Sequence, residues 1–372
     1  MKAMVSTQDL REAFNKVNTI KSGRGNATLP VLSYAKLSIN GSGAKLITTD
    51  LEKAVEVNLK TEGDDNCEIL LPKKKMQIFL NGANGNVGVK VDRKGVVTCS
   101  RGGLGEVQYK PYSIKDFPLI PQPKEDTVWS SIDAKWFIQM LDILLTGCAK
   151  EDSRPILTGI CFSEGAMASA DGFRLVTVEN EKLNIGLEDK RPIIPFQTLE
   201  LIKRVFGKEE SIQIGFHHPD RVHFKSPTAL LTSQLIQGNY PNWQQIIPNK
   251  YDCRVSYSAP LMMQRLKMID PASLSAGFVR LQFTRTDKQE HECLISGGTR
   301  DEDYAEYYSM RMPVKIETES ESKIAFNYKY LCDAMKPFSI CNLELTSPSS
   351  PGKITGDIEG LTITVMPMFI QW

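Results

Sequence analysis

Hydrophobic and polar positions follow two different periods along this chain, and the two periods succeed one another in a fixed order. A helix is predicted first, because Leu10, Phe14 and Val17 share one face of STQDLREAFNKV and Ser6 is suited to cap it. Runs with a period of two follow, bounded by Gly, Asn and Asp, as in AKLSINGSGAKLITTD; this pattern is typical of antiparallel strands. A second helix is predicted over about residues 73–80, and further strands come after it.

The same order of elements recurs twice more. First helices are predicted in DAKWFIQMLDILLTGCAK, capped by Asp133, and in APLMMQRLKMI, and second helices over about residues 196–206 and 328–335. Short matches accompany this order at separations of about 120 residues. LPVLSYAKLSI matches RPILTGICFSE, LITTDLEKAVEV matches MASADGFRLVTV, ILLPKKKMQIFL matches PIIPFQTLELIK, and DFPLIP matches NYPNW. A third copy is fainter, in KIAFNYKYLCDAM and TVMPMF.

Repetition of two helices and antiparallel strands predicts an α+β fold of three similar domains. We place them at residues 1–125, 126–250 and 251–372. A length of 372 residues suits two or three domains, and 41% hydrophobic with 24% charged residues is typical of globular proteins. No apolar run is long enough to cross a bilayer and MKAMVSTQDLREAF lacks a signal-peptide core, so we expect a cytoplasmic protein without a membrane segment.

Cysteine and histidine usage gives no sign of a catalytic or metal site. The eight cysteines are scattered without a CxxC pair, which favours buried free thiols over disulfides or zinc ligands. Three of the four histidines fall in SIQIGFHHPDRVHF without metal-ligand spacing, and SRGGLGEV matches neither phosphate-binding glycine motif. We therefore expect a non-catalytic protein with no cofactor and no metal. An enzyme with a dispersed site is the alternative from another class.

The net charge of +1 conceals an uneven distribution, because the three predicted domains carry net charges of +6, −2 and −3 in chain order. Basic residues recur on or near the predicted helices. If the helices face one way, these residues line a common positive surface that contacts phosphates without reading sequence. The alternative is an ordinary solvated helix face. The basic residues concerned are Arg11, Lys16, Lys21, Arg24, Lys73, Lys74, Lys75, Lys135, Lys150, Lys203, Arg204, Arg265, Lys267, Lys329 and Lys336.

The threefold plan and several segments together resemble one known family, the bacterial β sliding clamp, which is the processivity factor of DNA polymerase III. The segments are LPVLSYAKLSI with ITTDLE, RPILTGICFSEG with SADGFRL and QGNYPNWQQIIP, and IAFNYKYLCDAM with VMPM, in the family's order. The resemblance implies a head-to-tail homodimer whose six domains form a ring around duplex DNA, with helices inside and sheets outside. Such a ring holds DNA topologically and needs no catalytic chemistry.

The resemblance also implies a hydrophobic cleft between the second and third domains that binds short linear peptides. Its implied partners are the polymerase catalytic subunit, the clamp loader, repair polymerases, a mismatch-repair protein and ligase. Methionine side chains suit such a cleft because they adapt to several related peptides. The residues that match the family's cleft are Arg154, Leu157, Gly172, Phe173, Arg174, Leu175, Pro241, Ile246, Asn327, Tyr330, Val365, Met366, Pro367 and Met368. The residues expected to face DNA are Arg24, Lys74, Lys150, Lys203 and Arg204.

Several positions depart from the family pattern. Phe173 stands where His is frequent, Ala170 where Thr is frequent, and Gln245 where Arg is frequent. Phe369 replaces a usual basic residue, and Gln371 and Trp372 extend past the usual end. We expect the cleft to keep its location, its peptide preference to differ, and Trp372 to pack near its rim.

Alternatives stay open for individual residues and for the function. Met366, Met368 and Leu175 also suit a plain core, Arg174 a structural ion pair, and Tyr330 a ring that fills its own domain. The alternative function is that of a divergent phage or plasmid clamp paralogue, which binds partner peptides without supporting the host polymerase.

Overall fold

The computed structural model describes residues 2–20, 29–40, 43–62, 66–82, 84–151, 153–217, 220–269, 277–285, 290–298, 307–318 and 321–370. Within these ranges the chain forms six α-helices, at the places where the hydrophobic periodicity predicts them. The third helix ends earlier than predicted, because a 3-10 turn over Leu145–Gly147 replaces its last part. The helices are α1 (Thr7–Val17), α2 (Lys73–Leu80), α3 (Ala134–Leu144), α4 (Phe196–Phe206), α5 (Ala259–Leu266) and α6 (Tyr328–Met335).

The strands are short, and every pairing between them is antiparallel in the described residues. This confirms the α+β class with antiparallel sheets. The strands are β1 (Lys2–Ser6), β2 (Tyr34–Asn40), β3 (Gly43–Thr49), β4 (Lys53–Leu59), β5 (Thr61–Glu62), β6 (Cys67–Pro72), β7 (Asn86–Val91), β8 (Val97–Arg101), β9 (Gly105–Tyr109), β10 (Trp129–Asp133), β11 (Gly159–Ser163), β12 (Ala166–Ala170), β13 (Arg174–Glu179), β14 (Ile193–Pro195), β15 (Ser211–His217), β16 (Arg221–Lys225), β17 (Ala229–Gln234), β18 (Cys253–Ser258), β19 (Phe278–Arg285), β20 (His291–Gly298), β21 (Tyr307–Pro313), β22 (Lys315–Ile316), β23 (Ser322–Asn327), β24 (Ile340–Leu345), β25 (Gly352–Gly356) and β26 (Leu361–Val365).

The chain folds into two compact units. The first comprises Met1–Gln139 and Gln197–Ile236, and the second Met140–Phe196 and Gln237–Trp372. The middle third of the sequence is therefore divided between them, and the domain boundaries placed at 125 and 250 stay a prediction. The first unit has sheets in the order β5-β1-β7-β8-β9 and β10-β15-β16-β17-β4-β3-β2-β6. The second has β14-β11-β12-β13-β26-β25-β24-β18-β22 and β21-β20-β19-β23.

One strand pairing of the same kind makes the larger sheet continuous in each unit. In the first unit β4 pairs with β17, and in the second β13 pairs with β26. The repeat places β4, β13 and β21 at equivalent points of the three copies, and β9, β17 and β26 likewise. In the described residues, β9 and β21 each end a sheet. β9 and β21 therefore lack a pairing equivalent to that of β4 with β17 or of β13 with β26.

The hydrophobic faces that predict the helices are the faces that the fold buries. Leu10, Phe14 and Val17 are fully buried, and Ser6 caps α1 by accepting the backbone N–H of Asp9 at 3.3 Å. Full burial of a side chain of this size contributes roughly 1.5 to 3 kcal/mol. The apolar stripe therefore fixes which side of α1 faces the sheet.

All eight cysteines are free thiols, and Cys332 alone among them is only partly buried. Burial raises the pKa of Cys99 to about 11 and that of Cys161 to about 12. Because the thiolate is the reactive form, these side chains act as small apolar residues. The expectation of buried thiols is thus confirmed for seven of them.

Lys73 corrects the expectation that all basic residues of the second helices lie on a positive surface. Its side chain is buried, with 8% of the residue exposed, and Nζ donates to the carbonyl of Ile20 at 3.4 Å and to Oγ1 of Thr48 at 3.3 Å. Burial lowers the pKa of Lys73 from its ordinary value of 10.5 to about 8. Lys74 and Lys75, next along α2, are exposed.

This burial predicts a pH dependence of stability. Below about pH 8, Lys73 is charged in both the folded and the unfolded protein, so its burial destabilises the folded state to the full extent. Above about pH 10.5, Lys73 is neutral in both, and this destabilisation is absent. Between these limits the free energy of unfolding of the wild type should rise relative to Lys73→Met, at up to about 1.4 kcal/mol per pH unit. Urea titrations at pH 7.5, 9 and 10 measure it, with Lys75→Met as the exposed control. Parallel pH curves for wild type and Lys73→Met would contradict the expectation.

Candidate functional site

A tight turn before β13, in the second unit, positions the central residues of the predicted cleft. Oδ1 of Asp171 accepts the backbone N–H groups of Phe173 and Arg174, each at 3.0 Å. Gly172 has a φ of +92°, a left-handed conformation that a side chain would strain. The turn leaves Phe173 60% exposed and directs Arg174 into the protein.

Arg174 is held by two carboxylates and an aromatic ring. Its Nε lies 3.0 Å from Oδ2 of Asp171, and its Nη1 lies 2.9 Å from Oδ2 of Asp333 on α6. The guanidinium carbon lies 4.7 Å from the ring centroid of Tyr330. A buried guanidinium is tolerated when its donors are satisfied in this way. Arg174 therefore links β13 to α6, in agreement with the alternative that it forms a structural ion pair.

The cap of α6 positions Tyr330. Oδ1 of Asn327 accepts the backbone N–H of Lys329 at 3.0 Å and that of Tyr330 at 3.2 Å, which fixes the first turn of the helix. The Tyr330 ring then stacks on Phe173 with centroids 6.1 Å apart and planes 24° apart. Burial, and then the nearby Asp171 carboxylate, raise the pKa of the Tyr330 hydroxyl, so it stays protonated. Asn327 thus acts on the cleft through the helix that it caps.

These elements enclose a cavity of about 520 Å³. A volume of this size accommodates a few side chains of a peptide. Six residues of the predicted cleft line it: Arg154, Leu157, Gly172, Phe173, Arg174 and Tyr330. The remaining lining residues are Cys148, Ala149, Lys150, Glu151, Ser153, Asp171 and Lys329.

The segment after β26 runs beside the cavity. The backbone N–H of Met366 donates to the carbonyl of Phe173 at 2.8 Å, and that of Met368 donates to the carbonyl of Ala325 at 2.8 Å. Pro367 is buried and forms a β-bridge with Phe326. Met366 remains 39% exposed, next to Phe173. The segment therefore adds a thioether to the apolar surface at this end of the cleft.

Other predicted cleft residues lie in the core or apart from the cavity. Leu175 on β13 and Val365 on β26 are buried and lie opposite Thr364 and Arg174, respectively, so they support the cleft from behind. Pro241 and Ile246 are exposed and do not line the cavity as described. The predicted position of Trp372 lies outside the described residues.

The residues expected to face DNA are exposed wherever the structure describes them. Lys74 lies on α2, and Lys203 and Arg204 lie in the last turn of α4, where cations also suit the helix dipole. Lys150 lines the cavity instead of lying on a helix. Arg24 lies outside the described residues.

Several residues that shape the cleft were not among those predicted for it. Asp171 could have been found by the repeat, because Asp50 makes the same turn in the first unit and accepts the N–H groups of Glu52 and Lys53. Asp333 had no such signal, because its role depends on where α6 packs. Lys329 was predicted only as one of the basic residues that recur on the helices, not as part of the cleft. Among the described residues there is no group of three or more side chains suited to hold a metal ion, and no helix long and apolar enough to cross a membrane.

Comparison with known proteins points to one family. A family model described as the DNA polymerase III beta subunit, central domain, matches residues 131–242. The beta sliding clamp of Synechococcus elongatus is 23% identical over 386 residues, covering 100% of both chains. The DNA polymerase sliding clamp structure from Bacillus subtilis matches with a TM-score of 0.87 at 20% identity, covering 100% of both chains. The sliding clamp structure from Bartonella birtlesii, bound to griselimycin, matches with a TM-score of 0.87 at 18% identity, covering 100% of both chains. The resemblance drawn from the sequence is confirmed.

The contacts of Arg174 predict its contribution to stability. Arg174→Met should lower the free energy of unfolding by roughly 1.5 to 3 kcal/mol, because it leaves Asp171 and Asp333 without their cation. Thermal and urea denaturation measure the change, and Arg191→Met, at an exposed arginine of the same unit, is the control. Equal losses for the two variants would contradict a structural role for Arg174.

Proposed function

We propose that this chain, a member of the bacterial β sliding-clamp family, encircles duplex DNA and tethers DNA polymerase and other DNA-processing proteins through the cleft at the start of β13. The observation that carries the proposal is this cleft, formed by Phe173, Arg174 and Tyr330 on a clamp fold that extends over the whole chain. The function requires no catalysis, because a closed ring stays on DNA by topology. We propose a cytoplasmic location, because the proposed activity takes place on DNA.

Strands β9 and β21 lack the pairing that β17 makes with β4 and β26 makes with β13, and this supports closure of a ring. A second copy could supply it, with β9 of one protomer against β21 of the other, at two equivalent junctions related by a twofold axis. Sheet edges of this kind are templates for pairing with another chain. The predicted first and third domains carry net charges of +6 and −3, and this opposition favours a head-to-tail arrangement.

Exposed apolar side chains lie beside the β9 edge. Ile78 on α2 and Leu104 in the β8–β9 turn are each more than three-quarters exposed. Arg101 at the end of β8 lies over the ring of Phe79, with its guanidinium carbon 4.7 Å from the centroid, and so holds α2 near this turn. Large exposed apolar side chains next to a free strand edge are typical of an interface.

Weak contacts suit the proposed DNA surface. Lys74, Lys203 and Arg204 are exposed on helices and would meet phosphates without reading bases. A whole-chain charge of +1 limits the strength of such binding, which lets a ring slide. Arg24 and Lys150 belong to the same proposal from the sequence.

The proposed partners of the cleft are linear peptides from the polymerase catalytic subunit, the clamp loader, repair polymerases, a mismatch-repair protein and ligase. Phe173 and Met366 provide exposed apolar surface next to a cavity, which suits peptide side chains. The Bartonella birtlesii clamp of the same fold binds griselimycin, so a clamp of this architecture can hold a ligand.

Topological retention tests the DNA function. The protein, loaded with a matched clamp loader and ATP on a nicked circular plasmid, should stay on the circle in buffer of high ionic strength, because salt screens phosphate contacts but does not open a ring. It should leave when the plasmid is linearised. Gel filtration of the DNA before and after cutting measures this. Equal retention on circular and linear DNA would contradict encirclement.

Loading without support of synthesis would favour the divergent paralogue. In that case the protein stays on the circular DNA, but adding it to the host polymerase does not increase the length of the products in a primer-extension assay. A protein that does both supports the replicative clamp.

The proposed dimer predicts the effect of two substitutions. Ile78→Asp and Leu104→Asp should each raise the dimer dissociation constant by about tenfold or more, because a carboxylate would be buried against the partner. Sedimentation equilibrium measures the constant. Leu119→Asp is the matched control, since Leu119 is 96% exposed elsewhere in the same unit. An unchanged constant in the first two variants would place the interface elsewhere.

A further inference from the structure

We propose that the first unit carries a separate docking site, at the turn before β4, which binds an aliphatic side chain of a partner peptide with a lysine or arginine next to it. All residues of this site belong to the first unit, whereas the cleft before β13 belongs to the second. Occupancy of one site therefore does not require the other.

The turn before β4 holds Leu51 in an unfavourable conformation. Its φ of +82° lies in the left-handed region, which strains a residue with a Cβ atom, and the equivalent residue of the second unit is Gly172. The Leu51 side chain is 48% exposed, so burial in the core does not explain why leucine occupies this position. Backbone strain that the core does not require is typical of ligand-binding sites.

Hydrogen bonds fix this conformation. Oγ1 of Thr49 accepts the backbone N–H of Leu51 at 3.0 Å and donates to the carbonyl of Lys53 at 2.8 Å. Oδ1 of Asp50 accepts the N–H groups of Glu52 and Lys53, at 3.2 and 2.9 Å. The turn is therefore set before a ligand arrives, which reduces the entropy lost on binding.

A second leucine is presented by the connecting segment, residues 117–122. Leu119 is 96% exposed, although the segment is anchored on both sides of it. On one side Phe117 is buried in a cluster with Leu70, and on the other the side chain of Gln122 donates to Oε1 of the buried Glu56. An apolar side chain that stays exposed on an anchored backbone is suited to contact a partner.

Leu51 and Leu119 line one cavity of about 90 Å³, together with Pro118 and Pro121. The two prolines restrict the backbone on either side of Leu119, because their φ angles are fixed. The volume is less than the roughly 150 Å³ of an engineered cavity that binds benzene. The cavity therefore suits one aliphatic side chain better than an aromatic ring.

The charges around the cavity define the residue next to the anchor. Lys53 and Arg221 also line it, but Nζ of Lys53 lies 2.7 Å from Asp50, and Nε of Arg221 lies 3.8 Å from Asp220. Glu52 lines the cavity as well, is exposed, and forms no ion pair with a residue that the structure describes. Its carboxylate is the charge available to a partner. Complementary charge of this kind decides which partner binds more than how tightly it binds.

The order of the turn fixes the spacing in the peptide. Glu52 directly follows Leu51, so a side chain that contacts Leu51 brings its neighbour to the carboxylate. A lysine or arginine should therefore be adjacent to the aliphatic anchor. A phosphate backbone does not suit this site, because Glu52 would repel it and the two cations already have acidic partners.

Methyl NMR of the full-length protein, with leucine methyl groups labelled with carbon-13, detects weak binding at each leucine. The probes are three peptides of the form acetyl-Gly-Ser-Leu-Xaa-Ser-Gly-amide, in which Xaa is Arg, Gln or Glu. The Arg peptide should shift the signals of Leu51 and Leu119. At low salt it should bind roughly fivefold more tightly than the Gln peptide, and the Glu peptide should bind most weakly. These differences should shrink at high salt.

Two variants assign the roles. Leu51→Gly should weaken binding of the Arg peptide by about fivefold or more, read from the Leu119 signal, because part of the apolar wall is lost. It should not lower the melting temperature, because glycine adopts this φ without strain. Glu52→Gln should reduce the ratio between Arg and Gln peptides to less than about twofold.

Matched controls use exposed residues that do not line the cavity. Val128→Gly, at an apolar residue of the same unit, should keep the affinity for the Arg peptide. Glu181→Gln, at an exposed glutamate of the second unit, should keep the ratio between Arg and Gln peptides.

Four results would overturn the proposal. The first is that millimolar peptide leaves the Leu51 and Leu119 signals unchanged. The second is that the three peptides bind with equal affinity, which contradicts the role of Glu52. The third is a shift confined to Leu157, which lines the cleft, because this would support peptide binding by the cleft and not by the first unit. The fourth is a shift of Leu51 and Leu119 with protein concentration alone, which would make a second copy of the chain the occupant.

Discussion

The antiparallel pairing of β13 with β26 is the interaction on which the candidate site depends. It joins strands from opposite ends of the second unit, with Arg174 opposite Val365 in its register. Because of this register, the segment after β26 emerges beside the turn before β13, and Met366 can bond to Phe173. The cleft therefore requires no dedicated element. It arises where two copies of the repeat share one sheet.

The first unit shows what that shared sheet provides by itself. Its β4–β17 pairing is equivalent, and Asp50 forms the same turn, with Leu51 at a φ of +82° where the second unit has Gly172. Lys53 lies 2.7 Å from Asp50, as Arg174 does at 3.0 Å from Asp171. The two units differ at the third residue of the helix that follows. In the first unit this residue is Thr198 of α4, which is buried and hydrogen-bonded to Ser233, whereas in the second unit it is Tyr330 of α6. Among the described residues, a cavity of about 90 Å³ lies beside the turn of the first unit. The turn is thus common to both units, whereas the helix that follows presents a different side chain in each.

Periodicity predicted the elements because the information is local. Leu10, Phe14 and Val17 mark a buried helix face from sequence alone, and the alternating runs mark the strands equally well. The repeat extended this reading to the whole chain. Local patterns could not predict the burial of Lys73 or the ion pair of Arg174 with Asp333, because both depend on which elements meet in three dimensions. The cleft residues came from a family resemblance, which transfers positions but not the contacts that the side chains make.

Weak interactions of two kinds fit the proposed activity for one physical reason. A ring that must slide cannot hold phosphates tightly, and a cleft that must exchange partners cannot hold any one peptide tightly. Exposed ion pairs contribute at most about 1 kcal/mol each, so Lys150, Arg154 and Lys329, which line the cavity and are exposed, would hold a charged partner only weakly. Arg174, by contrast, is buried with its charge satisfied inside the protein. Its two ion pairs hold β13 against α6. Arg174 thus stabilises the wall of the cleft, whereas the exposed cations at its rim would make only weak contacts with a ligand.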